Sequence, residues 1–477
     1  MKISSYLKNR WIKRFLILAG SCIIIMILIA GIFVWLFIPW IPDTDFPTPA
    51  NNLEAYTQDL NYLVEYSDYE KAFDDSVKKR QFINYIETAK KDLKGMTPAR
   101  FELVVARAIA IADNGHTNVS PIGIGTRVNH FPIRTGPFED GEFVIQATKE
   151  NADLLGAEIL EVESHSIKSV TDSFVPFFGG IERRSRFFTH LFIMSPDLLN
   201  AQGFSKSSTE TELTFRLADS TIVKRTLSGI KPVMGKREPF GREVMDYRVP
   251  KGDQNSWVHL MQDYEQPPYL KDPDKPYLYE FLEKEKGAYV KINYNMDMGE
   301  YSLAVWLEFV AQDLKSRKPN FAIIDLRFNG GGTDATASFS KELPNLVQNN
   351  APIYILVSRE TFSAAIAAAA QFKKYGGSRT IILGSEVGDR LRFVANGGTV
   401  FTLPNSKINI RVWSAYEDYE NGCWDWTECF WLSPFFREAG VGNLNPHKLI
   451  PLQYRDYSKN TDPVFEYAVQ DGMKVKM

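Results

Sequence analysis

Apolar positions change their spacing along the chain, and the change divides it. Residues 15–42 form a run without a single charged side chain. Residues 56–112 place Leu60, Leu63 and Val64, then Phe101, Leu103, Val104, Ala108 and Ile109, at helical intervals, which predicts helices. Residues 130–235 break into short apolar runs and are expected to be mostly strands, with 151–164 a loop entering a strand. Residues 236–285 are polar and proline-rich with little periodicity. Beyond them the pattern alternates. Strands are expected at 288–294, 321–326, 353–357 and 380–383, and helices at 301–315, 335–348 and 364–375. Pro344 should kink or shorten the second helix, and Gly376-Gly377 should end the third. Such alternation predicts an α/β domain with a largely parallel sheet.

Charge refines the N-terminal reading. Lys2, Lys8, Arg10, Lys13 and Arg14 precede the apolar run without an intervening acid. At ~1.5 Å per helical residue, residues 15–42 can cross a ~30 Å hydrocarbon core. Trp35 and Trp40 lie near the far end, where indole favours the membrane interface. The positive-inside rule leaves residues 1–14 as a cytoplasmic tail and puts the remainder outside. A cleaved signal peptide would have a shorter apolar stretch and a small-residue cleavage site, so an uncleaved single-pass anchor is expected. Cys22, within the run, reads as membrane-buried packing, and residues 43–55 as a linker.

Composition narrows the function classes. The 477 residues are 44% hydrophobic and 24% charged, which excludes a disordered chain and a many-pass membrane protein. A formal charge of −3 argues against a nucleic-acid partner recruited by bulk charge. Three cysteines give no zinc-ribbon spacing. Cys423 and Cys429 either close a short disulfide loop or stay free thiols, and an extracytoplasmic setting favours the bridge.

Candidate chemistry lies on three loops. Asp325-Leu-Arg-Phe-Asn-Gly-Gly-Gly-Thr333 follows an apolar strand. Its glycines permit positive φ and could gather N–H groups around an anion or a developing oxyanion, though an ordinary tight turn reads the same way. Neither dinucleotide nor phosphate-loop spacing is present. Ser363 falls between a strand and a helix, where it is either an N-cap or a displayed nucleophile beside a free helix N–H. Asp113-Asn-Gly-His116-Thr-Asn118 follows a helix and offers an imidazole, which a serine nucleophile would need as base.

Together these elements resemble the tail-specific (C-terminal processing) proteases and the tricorn-protease core, in order over roughly residues 100–470. Gly115-His116-Thr117 matches the Gly-His-Thr element. Leu155-Gly-Ala-Glu-Ile-Leu160 matches the PDZ-like turn and strand. Residues 323–332 match the strand with its glycines, and Phe362-Ser363-Ala364-Ala365 the nucleophile. Gly384-Ser-Glu-Val-Gly388 resembles the next loop, and residues 462–468 the closing helix. The resemblance implies an α/β, crotonase-like catalytic domain over residues 286–477. An N-terminal helical region over 56–129 would carry His116, a PDZ-like β-rich module would span 130–235, and a connecting segment 236–285.

By the same resemblance Ser363 is the acyl-forming nucleophile, with an oxyanion hole from the N–H groups of Ala364 and of Gly331 or Gly332. The bacterial processing branch uses a lysine about 25 positions after the serine, but none occurs between Lys374 and Lys407. The tricorn-like branch, with histidine as base, therefore fits, and His116 takes that role. Glu438 stands where that branch carries an orienting acid, with Glu386 as the alternative. Two departures are Ile366, where a glutamate is common, and the Gly384 loop, where Ser385 intervenes and Val387 replaces a threonine.

The implied function is a membrane-anchored, extracytoplasmic (periplasmic or extracellular) serine peptidase that cuts peptides or protein tails. It would need no metal or other cofactor and no nucleic-acid partner. The competing reading is a catalytically weak or inactive protein on the same scaffold, binding peptides, glycans or an envelope protein.

Overall fold

A computed structural model describes residues 10–41, 45–232, 238–249, 256–425, 427–430 and 440–474. Its first helix, α1 (Arg10–Phe37), holds between Lys13 and Phe37 an 18-residue stretch with a mean hydropathy of 2.9, and is long enough to cross a membrane. Three helices follow: α2 (Asn52–Tyr69), α3 (Ser76–Ala89) and α4 (Pro98–Ala110). Their starts are written in the sequence. Asn51, Asp75 and Thr97 each turn a side-chain oxygen onto a free N–H of the first turn, and Pro98 sits where no N–H is needed. The stretch expected to be a linker is partly helical, because α2 begins at Asn52.

Residues 130–235 are only partly β. Strands β1 (Ile133–Thr135) and β2 (Val144–Thr148) join a later strand in an antiparallel three-stranded sheet. Strands β3 (Glu158–Val162), β4 (His165–Ser166), β5 (Glu210–Arg216) and β6 (Ile222–Ser228) form a four-stranded sheet ordered β4-β3-β5-β6. Between β4 and β5, where strands were expected, the chain forms helices α5 (Ile167–Phe174), α6 (Glu182–Ile193) and α7 (Pro196–Ala201). Phe187, Leu191, Phe192 and Ile193 are buried on α6, and packing of that aromatic face decides the helix over its weak local periodicity.

The C-terminal half carries the main sheet. After β7 (Trp257–His259) come β8 (Tyr277–Leu282), β9 (Gly287–Ile292), β10 (Phe321–Asp325), β11 (Ile353–Val357) and β12 (Thr380–Gly384). Strands β9 to β12 are parallel neighbours, and β8 runs antiparallel at the edge. Helices α8 (Leu303–Arg317), α9 (Ala337–Leu346) and α10 (Ala364–Gly376) cover one face. Helix α11 (Pro463–Gly472) packs on the other through Val464 and Ala468. A sheet covered on both faces requires strands apolar on both faces, so β10 and β11 are buried throughout.

Short strands β13 (Arg392–Val394), β14 (Thr399–Thr402), β15 (Asn409–Val412) and β16 (Tyr416–Asp418) follow β12 and form two antiparallel pairs. Phe401, Ile408, Ile410 and Val412 belong to the same core as Leu60, Phe82 and Ile109 of the N-terminal helices. This shared core brings the loop after α4 against the loops of the main sheet.

Candidate active site

Ser363 ends the turn from β11 into α10 with φ 56° and ψ −126°. That conformation is costly for a residue with a Cβ, by about 1–3 kcal/mol, and it lifts the side chain out of the helix line. The hydroxyl does not cap the helix. Ala365 N–H donates to Phe362 O and Ile366 N–H to Ser363 O, while Ala364 N–H meets no acceptor among the described residues.

The glycine loop after β10 lies against this turn. A Cβ on Gly331 would stand 2.6 Å from Ser363 Cβ and 2.9 Å from Phe362 O, and φ at Gly331 is +110°, so only glycine fits. Asn329, fully buried, sets the loop. Its Oδ1 accepts from Gly331 N–H at 3.0 Å, and its Nδ2 donates to Ile292 O and Asn295 Oδ1. Asn295 Nδ2 then donates to Thr333 O, Thr336 Oγ1 and Ala364 O, tying the glycine loop to the first turn of α10. Gly331 N–H is thus already engaged. Gly332 N–H, like that of Ala364, has no acceptor among the described residues.

His116 comes from the other half of the chain. Asn114 Nδ2 donates to Thr117 Oγ1 and to Val394 O, and Trp413 Nε1 donates to His116 O at 2.8 Å. Thr117 Oγ1 donates to Glu70 Oε1 at 3.0 Å, and Glu70 Oε2 accepts from Trp413 N–H at 2.8 Å. Burial pushes the Glu70 carboxyl up to about 7 against these bonds. The imidazole lies between Phe362, at 4.2 Å and 24°, and Phe393, at 4.7 Å and 18°, with Trp413 edge-on. It therefore stacks on the residue immediately before Ser363. Arg184 covers Phe362 at 4.4 Å and donates to Arg359 O.

The acid beside His116 is Asp389. Its Oδ2 lies 3.3 Å from His116 Nδ1, at an angle short of a hydrogen bond, and both side chains are almost fully buried. Gly115 makes room for it, because a Cβ there would stand 2.4 Å from Asp389 Oδ2. Glu386, the alternative acid from sequence, is placed elsewhere: its carboxylate is 58% exposed and faces Arg183 at 3.6 Å. It points away because the loop after β12 buries Val387 and leaves Glu386 in solvent. Glu438 lies outside the described residues. Asp389 carries no local signature beyond a carboxylate after Val387-Gly388, so only the fold reveals it. Cys423 and Cys429 are joined in a disulfide with Cα atoms 5.7 Å apart.

Ser363, Ala364 and Gly332 open onto a cleft of about 270 Å³, whose walls include Phe393, Trp413 and Arg411. The cleft lies beyond the C-terminal ends of β10 and β11, where open parallel sheets place their ligand sites.

The chain superposes on mature CPAF complexed with lactacystin with a TM-score of 0.54, at 15% identity over 89% of this chain and 98% of that one. A serine-to-alanine mutant of CPAF gives 0.56, at 14% identity over 89% and 97%. The chain has the fold of CPAF. The photosystem II D1 C-terminal processing protease is a further neighbour, with a TM-score of 0.34 at 13% identity over 84% of this chain and 94% of that one. No family model and no curated protein matches the sequence.

Proposed function

We propose that this chain is a membrane-anchored serine peptidase acting outside the cytoplasmic membrane, with α1 as the anchor and residues 1–14 inside. The α/β half would be its crotonase-like catalytic domain, and the sheet β4-β3-β5-β6 the body of a PDZ-like module that captures a peptide end by strand addition. Ser363 Oγ attacks the scissile carbonyl while His116 takes its proton, and an Oγ–C bond forms. The N–H groups of Gly332 and Ala364 stabilise the oxyanion, each such donor being typically worth about 3–4 kcal/mol of barrier. When the C–N bond breaks, the amine leaves with the proton held by His116. Water, deprotonated by the same imidazole, then releases the acyl group. With Nδ1 turned to Asp389, Nε2 is the nitrogen left for the hydroxyl.

One observation carries this reading: Ser363 holds a strained positive φ that serves no cap, beside two unengaged N–H groups and an imidazole stacked on its neighbour. Turnover of a peptide library, with fluorophosphonate labelling alongside, tests it. The wild type should cut and label, and Ser363→Ala should do neither. A folded wild-type protein that cuts nothing and takes no label would favour the binding scaffold.

A further inference from the structure

The end of α1 is not a free stalk. Most of the helix is exposed and apolar, as at Ile27 and Leu28, yet Phe37 is 1% exposed. Its carbonyl accepts from Gly398 N–H and from Ser414 Oγ, both at 2.6 Å. The rings of Phe33 and Phe37 pack on Phe430 at 5.4 and 5.6 Å. A Cβ on Gly397 would stand 2.5 Å from Phe37 O, so the turn between β13 and β14 accepts the helix only as glycine. Further along, Ile41 and Phe46 pack on the N-terminal core, Phe46 meets Tyr62 edge-on at 5.2 Å, and Pro47 O accepts from Gln58 Nε2.

The residues that hold the helix end adjoin those that line the Ser363 cleft. Ala395, Asn396 and Gly397 line it, and Gly398 is the next residue; Trp413 lines it, and Ser414 is the next residue. Neighbouring Cα atoms are only ~3.8 Å apart. Lys13–Phe37 is 25 residues, which at ~1.5 Å per residue is ~38 Å, about a quarter more than a ~30 Å hydrocarbon core. A membrane-embedded α1 therefore brings Phe37 out at the interface, between Trp35 and Trp40, which are 80% and 85% exposed.

From this geometry we infer that the cleft opens at the level of the lipid headgroups and that the substrate is a polypeptide itself held at the membrane, cut in the segment next to the bilayer. The inference rests on the peptidase reading for its chemistry and on α1 for its placement. A peptide tethered to lipid reaches Ser363 without a long spacer, whereas a cleft carried on a long stalk would stand clear of it.

Two measurements on the full chain in phosphatidylcholine vesicles test this. For placement, Thr399→Cys and Trp40→Cys, each in a Cys22→Ser background, carry a bimane label, and the lipid carries a nitroxide on its headgroup. Both labels should be quenched to within about twofold of each other. An unquenched Thr399 beside a quenched Trp40, or no quenching at either, overturns the placement.

For substrate class, a peptide library is joined to lipid through spacers of about 5 residues (~17 Å extended) or about 40 residues, and is also offered free. Short-spaced peptides should be cut at least as fast as long-spaced ones. Ser414→Ala, which removes one of the two hydrogen bonds on Phe37 O, should lower the short-spaced rate severalfold and leave the free-peptide rate unchanged. Cutting confined to long-spaced and free peptides overturns the inference while the peptidase stands. If nothing is cut and Ser363 takes no label, it is the peptidase reading that fails, and the quenching result still reports the placement.

Discussion

Replacing Asp389 by asparagine changes one charge beside His116 and almost no volume. In the proposed mechanism His116 takes the serine proton, and its ring then faces the Asp389 side chain at 3.3 Å, both groups being buried. At an effective dielectric constant of ~20 that attraction is about 5 kcal/mol. Asparagine keeps the shape and removes the charge. At ~1.4 kcal/mol per factor of ten, the loss slows acylation by up to about 10³- to 10⁴-fold. The ground state, with a neutral ring, loses much less, so the effect should fall on kcat and leave KM within a few-fold. The assay is steady-state turnover of the best peptide from the library, with thermal unfolding to show that the variant folds. Glu438→Gln is measured beside it. If Asp389→Asn stays within threefold of wild type, the 3.3 Å approach has no catalytic weight. A collapse in Glu438→Gln alone would then give Glu438 the orienting role.

Ser363→Gly should be inactive yet more stable than Ser363→Ala by about 1 kcal/mol in urea unfolding, since glycine adopts φ 56° without the steric cost; equal stabilities would mean the turn is not strained. Gly115→Ala drives a methyl into Asp389 Oδ2 and should cut kcat by more than tenfold with a lower melting temperature, and an unaffected enzyme would contradict the close fit of that loop. Glu70 is raised from 4.5 to about 7, so the folded chain keeps a proton that the unfolded chain has released. Its contribution therefore makes stability fall from pH ~4.5 to ~7, by about 3 kcal/mol, and level off above. Glu70→Gln should remove that fall from a series of urea titrations, and an unchanged slope would place the proton elsewhere.

The parallel sheet was legible because its strands are short, continuous apolar runs, and those over 321–326, 353–357 and 380–383 are met by observed strands within a residue at each end. Residues 167–201 were misread as strands. Their apolar stretches, such as Phe187-Phe188 and Leu191–Ile193, are too short to show a helical period, and α6 owes its form to the aromatic core it packs on. In the site, Ser363 and Gly332 announce themselves by a serine and glycines after buried strands, and His116 by its loop. Asp389 and Glu70 have no such mark. Each is an ordinary acid until the fold brings it to the loop of His116.

The two halves of the candidate site come from different bodies, and that governs how it can fail. Ser363 and Gly332 stand on the main sheet, whose core is separate from the one that holds α2, α3 and α4. His116 belongs to the latter, as do Val394 and Trp413, which bond to Asn114 and to His116 O, and its ring meets the main sheet by stacking on Phe362, the neighbour of Ser363. That stack and the 3.3 Å approach of Asp389 to His116 Nδ1 are contacts across a junction between the two cores. Junctions of this kind open at lower free energy than the sheets they join. Loosening this junction would therefore carry the imidazole away from Phe362 and its neighbour Ser363 while both cores stay folded.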